Sequence, residues 1–261
     1  MTSVEGGVPR RLTFDNRDIL SQTWTPDGRS LVFASNRTGS YSLWRVRVSG
    51  GTPERIQGIT LGAADPSFSR DGRRMAFSQF FLDTNVWRID IEHPSAPPRP
   101  LILSTVADSS PQYSPDGTRI AFRSSRSGSH EIWACDSEGK QSVQMTNFAG
   151  PLTGTPRWSP DGKWIVFDTR PEGQADIWIV GADGGKPRRL TTEPSEDVVP
   201  SWSRDGKSIY YASNRSGAWQ VWRKPVDGGG AQQVTFQGGF AAFESPDGKY
   251  LYYAKGRSVP G

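Results

Sequence analysis

The sequence predicts an all-β fold: a six-bladed β-propeller whose four-stranded antiparallel blades pack radially. Three observations lead there. An apolar stretch, then Ser/Thr-x-Asp-Gly, then a second apolar stretch recurs six times, centred on Asp27, Asp71, Asp116, Asp161, Asp205 and Asp247, so the Asp-to-Asp steps are 44, 45, 45, 44 and 42 residues. Each interval holds four strand signals and almost no helix signal. A Trp returns at one fixed place in five of the six units, at Trp44, Trp87, Trp133, Trp178 and Trp222. A period of this length belongs to architectures in which each unit buries its apolar faces against its neighbours, and four-stranded units covered on both faces pack as propeller blades.

The elements follow in order within a unit. The first strand runs into a tight hairpin, as at Ser114-Pro115-Asp116-Gly117: Pro presets φ, Asp tolerates the next position, and Gly accepts the left-handed one. Arg70 and Arg204 replace that Pro in units two and five and soften the turn without changing its type. The second strand is Leu31-Val32-Phe33, Met75-Ala76-Phe77, Ile120-Ala121-Phe122, Ile165-Val166-Phe167, Ile209-Tyr210-Tyr211 and Leu251-Tyr252-Tyr253. Both parities are apolar, so both sheet faces are expected to be covered. The third strand carries the Trp, whose register places it in the core between sheets; a stripe of ligand-stacking rings is the competing reading. The fourth follows a Gly-rich turn, as in Gly184 to Thr191 and Gly228 to Thr235. The same signature opens the chain at Gly6 to Thr13, so an N-terminal strand is expected to close the last blade.

Residues 1–261 thus read as one propeller domain, expected to be a piece of a longer protein with further linked domains; with no sixth Trp strand before Gly261, either the sixth blade lacks a strand or the native protein continues and the blade count is larger. Arg and Lys scattered over every repeat give a net charge of +4, which fits a solvated basic surface better than a face that contacts nucleic acid. No apolar run approaches the roughly 20 residues of a membrane span, so no membrane insertion is expected. Met1 to Arg11 shows no signal-peptide core. Cys135 is the single cysteine, which excludes an internal disulfide framework or a cysteine-based zinc site.

The repeated Ser-Pro-Asp-Gly before an apolar strand, the Ser-Asn-Arg at Ser35-Asn36-Arg37 and Ser213-Asn214-Arg215, and the closing Arg-Leu-Thr resemble the TolB-like, or PD40, WD40-like propeller repeat over residues 6–257. The resemblance implies a bacterial, non-catalytic interaction module for protein or peptide, acting as scaffold or sensor. Family members include the periplasmic TolB of the Tol-Pal system, sensory parts of regulators, and propellers attached to oligopeptidases and the tricorn protease. An accessory propeller that gates a serine peptidase domain outside this chain is the alternative. TolB itself adds an α/β domain before its propeller, which this sequence lacks. Periplasmic or extracytoplasmic placement is implied, with the cytoplasm left open.

No catalytic, metal or cofactor residues emerge. The two histidines, His93 in a Pro-rich turn and His130 in a loop between strands, lack the Gly-x-Ser-x-Gly elbow or partner spacing of a nucleophile and its base. Asp15-Asn16-Arg17-Asp18 departs from a calcium loop because Arg17 puts a cation inside it. The stretch from Ser159 to Trp164 looks like a sialidase box, but the Gly adjoins the Asp and the spacing fails.

A partner site is expected instead on the rim opposite the Pro-Asp-Gly turns, since longer and less uniform loops tend to hold function. Asp18, Asp65, Asp108 and Asp197 come from connections between units, and Arg37, Arg126, Arg170 and Arg215 from the other loops. They either pair to order those loops or form a charged mouth that holds a partner. Unit two alone places Phe80, Phe81 and Leu82 at this loop, either tucked over a neighbour or forming a contact patch. Tyr41, His130 and Trp219, each three residues before the strand Trp, suit interface anchoring or packing over the hairpin.

Overall fold

The computed structural model describes residues 1, 8–14, 17–38, 40–59, 62–80, 84–93, 95–150 and 152–256. They contain twenty-two strands and no helix. Two compact units divide the chain, Met1–Leu82 and Asp83–Gly261.

Unit one opens with a meander, β1 (Ile19–Trp24), β2 (Ser30–Thr38), β3 (Ser40–Arg47) and β4 (Glu54–Arg55), antiparallel in that order. It continues with the hairpin β5 (Ala63–Phe68) and β6 (Met75–Gln79). Val32, Ala34, Leu43, Ala63 and Ala64 are its buried core.

Unit two begins with a pair, β7 (Val86–Arg88) and β8 (Arg99–Ile102). Three complete sheets follow. They are β9 (Asp108–Tyr113), β10 (Arg119–Ser124), β11 (Glu131–Asp136) and β12 (Val143–Gln144); then β13 (Thr153–Trp158), β14 (Trp164–Thr169), β15 (Asp176–Gly181) and β16 (Gly184–Arg189); then β17 (Asp197–Trp202), β18 (Ser208–Ser213), β19 (Gln220–Pro225) and β20 (Gln232–Gln233). A last hairpin pairs β21 (Phe240–Glu244) with β22 (Leu251–Ala254).

The hairpin turns explain why the repeat folds where it does. In all six, the Ser or Thr two residues before the Asp donates its hydroxyl to Asp Oδ1 at 2.5–2.6 Å. The same Asp oxygen accepts the backbone N–H two residues on, at 3.0–3.1 Å. The Gly then sits at φ between 67° and 72°, where a side chain would be strained. Those hydroxyl bonds, first among the causes, hold every turn carboxyl below its ordinary value.

Burial follows sheet completeness. Ile120, Ala121 and Phe122 of β10, and Ile165, Val166 and Phe167 of β14, are fully buried, as expected of strands covered on both faces. In the hairpins, by contrast, Ala76 to Gln79 of β6 and Tyr252 to Ala254 of β22 are exposed. The expected N-terminal closing strand is not formed: Val8 to Phe14 adopt no strand, and Gly6 and Gly7 lie outside the described residues. A fourth strand bonds to the third in every complete sheet, and among the described residues the sixth repeat offers only its first two.

First strands share an irregularity. Asp65, Ser110, Thr155, Val199 and Ala241, each six residues before its turn Asp, have φ between 48° and 53°. Each marks a bulge where two residues oppose one on the second strand. Four of them precede Pro, and Thr155 and Val199 are β-branched, so this backbone is strained.

Candidate functional site

Within unit two the first strands β9, β13, β17 and β21 are successive neighbours. Their Trp residues tie them: Trp158 donates Nε1–H to the Gln112 carbonyl at 3.2 Å, and Trp202 to the Arg157 carbonyl at 3.1 Å. Phe68 stands at the equivalent place in unit one. There a cavity of about 440 Å3 is lined by Val32, Ile56, Phe68 and Met75, with Arg45 and Glu54 also on its wall.

The rim residues fall into three kinds. Asp108 and Asp197 begin β9 and β17 and are wholly buried. Arg126 Nη2 donates to both oxygens of Asp108 at 3.1 and 3.0 Å, and Arg215 Nη2 donates to Asp197 Oδ2 at 2.7 Å. Each guanidinium also lies between two rings, Arg126 at 5.0 Å from Phe122 and 5.2 Å from Trp133, Arg215 at 5.5 Å from Tyr211 and 4.7 Å from Trp222. Arg37 repeats the sandwich between Phe33 and Trp44, at 4.9 and 4.8 Å. A delocalised cation on aromatic faces gains both electrostatic and packing energy.

Arg170 is the exception. It pairs with Glu196 at 3.0 Å, and the slot between Phe167 and Trp178 is filled by Phe148, edge-on at 6.1 and 5.2 Å. Trp87 has no such partner among the described residues and is 58% exposed, which departs from the core role expected of the strand Trp.

The remaining candidates scatter. Asp18 is exposed just before β1 and accepts from Asn36 Nδ2 at 3.1 Å. Asp65 belongs to no rim loop; it is the left-handed bulge of β5, its N–H donated to Ser21 Oγ at 2.8 Å. Tyr41 meets Phe80 edge-on at 6.4 Å, and Trp219 meets Phe240 at 5.4 Å. Phe81 and Leu82 lie outside the described residues. His130 is half-buried with Nδ1 unpartnered; burial, helped by the charge of Arg123, pushes its pKa down to about 4.

Sequence reasoning missed a second charged group. Arg123, Arg157 and Asp168 occupy strands β10, β13 and β14, and Asp168 is 6% exposed. Thr155 donates its hydroxyl to Asp168 Oδ1, and the Val199 N–H reaches the same oxygen at 3.4 Å. Burial pushes the Asp168 carboxyl up. The signal was positional: seven residues after the turn Asp, the units carry Ala34, Ser78, Arg123, Asp168, Ala212 and Ala254. Two ionisable groups at a position otherwise small are visible once the repeats are stacked.

Cys135 is buried and its thiol is pushed up to about 11 by desolvation. His93 is bonded to Asp90 at 3.0 Å. Among the described residues no three His, Cys, Asp or Glu side chains converge on a metal position, and no helix is long and apolar enough to cross a membrane.

The family profile described as the TolB β-propeller domain, PD40, matches residues 1–145 and 96–259. The chain belongs to the PD40 family. Among relatives of this PD40 propeller, an uncharacterised protein of Agrobacterium fabrum is 30% identical over 136 residues, covering 46% of this chain and 44% of that one. The Tol-Pal system protein TolB of Anaeromyxobacter dehalogenans is 33% identical over 145 residues, 55% of this chain and 23% of its own. The chain spans less than half the length of these curated relatives. A solved structure assigned as TolB from Agrobacterium tumefaciens superposes with a TM-score of 0.57 at 25% identity over 91% of both chains. TolB from Acinetobacter baumannii gives 0.50 at 23% identity over 96% of this chain and 52% of that one, a likeness of fold.

Proposed function

We propose that this PD40 propeller is a non-catalytic module that binds a protein or peptide, with its six repeats forming six blades. The observation that carries the reading is the locked rim of unit two, where the pairs Asp108–Arg126 and Asp197–Arg215 hold the loops through buried carboxylates and stacked rings. A preorganised surface forfeits less ordering entropy when it binds. The TolB relatives support a protein partner, since one is named as a Tol-Pal system protein. The buried Cys135, whose thiol desolvation pushes up to about 11, supports a role without thiol-based acyl transfer. A puromycin-hydrolyzing peptidase of Mycobacterium tuberculosis is matched at 17% identity over 41% of its chain, a likeness of fold that does not favour the gating alternative.

The test is affinity capture from an extract of the native host, read by mass spectrometry against a Trp219→Asp variant shown to be folded. A defined set of proteins retained by the native chain and lost by the variant is expected. Capture that the variant leaves undiminished would remove this rim from the proposal.

A further inference from the structure

Arg126, Arg170 and Arg215 are each matched to a carboxylate at the rim of unit two. Arg123 and Arg157 are not. Arg123 Nε donates to Ser109 Oγ at 3.0 Å, and its side chain lies along Gly154, where an added Cβ would stand 3.5 Å from its Cδ and Nη1. Arg157 Nη1 donates to the Pro156 carbonyl at 2.9 Å, with its guanidinium 5.4 Å from the Phe243 ring centre. A guanidinium has five N–H donors, so most of those on both residues stay unassigned.

The single carboxylate nearby does not absorb them. Asp168 Oδ1 accepts from Thr155 and the Val199 N–H, and among the described residues Asp168 forms no ion pair with either guanidinium. Desolvation, only partly offset by Asp168, lowers the pKa of both Arg123 and Arg157, the response of cations whose charge is incompletely matched. Burial disfavours ionisation of the Asp168 carboxyl, so it offsets the two guanidiniums only in part. His130, also acted on by Arg123, brings a neutral imidazole with a buried, unpartnered Nδ1.

We propose that Arg123 and Arg157, with His130 near Arg123, form a carboxylate-binding site on the first-strand side of the β9–β12 and β13–β16 sheets, and that it takes the C-terminal carboxylate of a peptide. The planar fork of Arg matches a carboxylate in bidentate geometry, and the incompletely offset positive charge suits an anion. The peptide source rests on the binding role proposed above; the carboxylate chemistry does not.

The experiment uses the full chain labelled with 15N, titrated at constant ionic strength with sodium acetate, with acetyl-Gly-Gly-Leu as the free acid, and with the same peptide as its C-terminal amide. The Arg Nε–H and His130 ring signals are followed. Acetate and the acid peptide should move the Arg123, Arg157 and His130 signals, the acid more tightly, while the amide leaves them in place. Arg157→Gln and Arg157→Lys should each weaken the acid at least tenfold with the remaining spectrum intact, and Arg123→Gln should do the same if it folds. Equal responses to acid and amide, no response to either carboxylate, or unweakened binding in both Arg157 variants would overturn the site. Binding of acetate without any gain from the peptide would uphold the carboxylate site and overturn its peptide source.

Discussion

The arginines of unit two show how one residue type does unequal work. Arg215 contacts a fully buried Asp197 and two rings, and its own side chain is 14% exposed, whereas Arg170 and Glu196 are 24% and 34% exposed. Removing one partner of a buried pair strands the other charge, so Arg215→Ala should cost about 3–5 kcal/mol. Arg170→Ala should cost less, on the order of 1 kcal/mol, because water reaches both partners of that pair. Urea denaturation of both variants checks the contrast, and equal losses would show that burial does not set the difference. Sequence spacing singled out these arginines alike because it reports loop position. It passed over Arg123 and Arg157, since they lie inside strands whose pattern reads as ordinary alternation and whose relevant neighbours belong to the next repeat.

The hairpin is the element most legible in the sequence, because its chemistry is confined to six consecutive residues. Ser159 is almost fully buried and bonds both Asp161 and the Trp164 N–H. Ser159→Ala should therefore cost about 1–2 kcal/mol in denaturant midpoint analysis. The carboxylates give a pH signature of definite sign. Each turn Asp has a folded pKa below the ordinary 3.8, so the unfolded chain takes up protons first; the stabilisation is complete above that value and is lost as pH falls through the folded one. The stability gap between the native chain and Asp116→Asn/Asp161→Asn should stay constant from about pH 7 to 5 and close below about pH 4. A gap that widens in acid would contradict the assignment. Phe148 was hidden for the opposite reason: it comes from the loop after β12 and enters the slot of the following sheet, a long-range contact that no local motif announces. Phe148→Ala should cost about 3 kcal/mol by leaving that slot empty, read as a lowered melting temperature.

For the molecule as a whole, a repeat array distributes stability by sheet, and here the sheets are unequal. The three complete sheets of unit two hold most of the fully buried side chains, while β7–β8 and β21–β22 are bare pairs. Hydrogen exchange should proceed first in β21–β22 and β7–β8 and last in β10, β14 and β18. Uniform protection across all sheets would mean that stability is not partitioned this way. The period and the strand count per unit were readable because they repeat. The interrupted second repeat and the missing closing strand were not, because pairing depends on a partner strand being present and not on the strand's own residues. The bulged first strands have a final consequence. A backbone edge offering an unbroken row of donors and acceptors is a template on which another chain can polymerise, and here that row is broken by a left-handed residue, with an N–H lost to Pro at four of the five sites. These edges resist fibre-like growth, and whatever docks along them must be gripped by side chains.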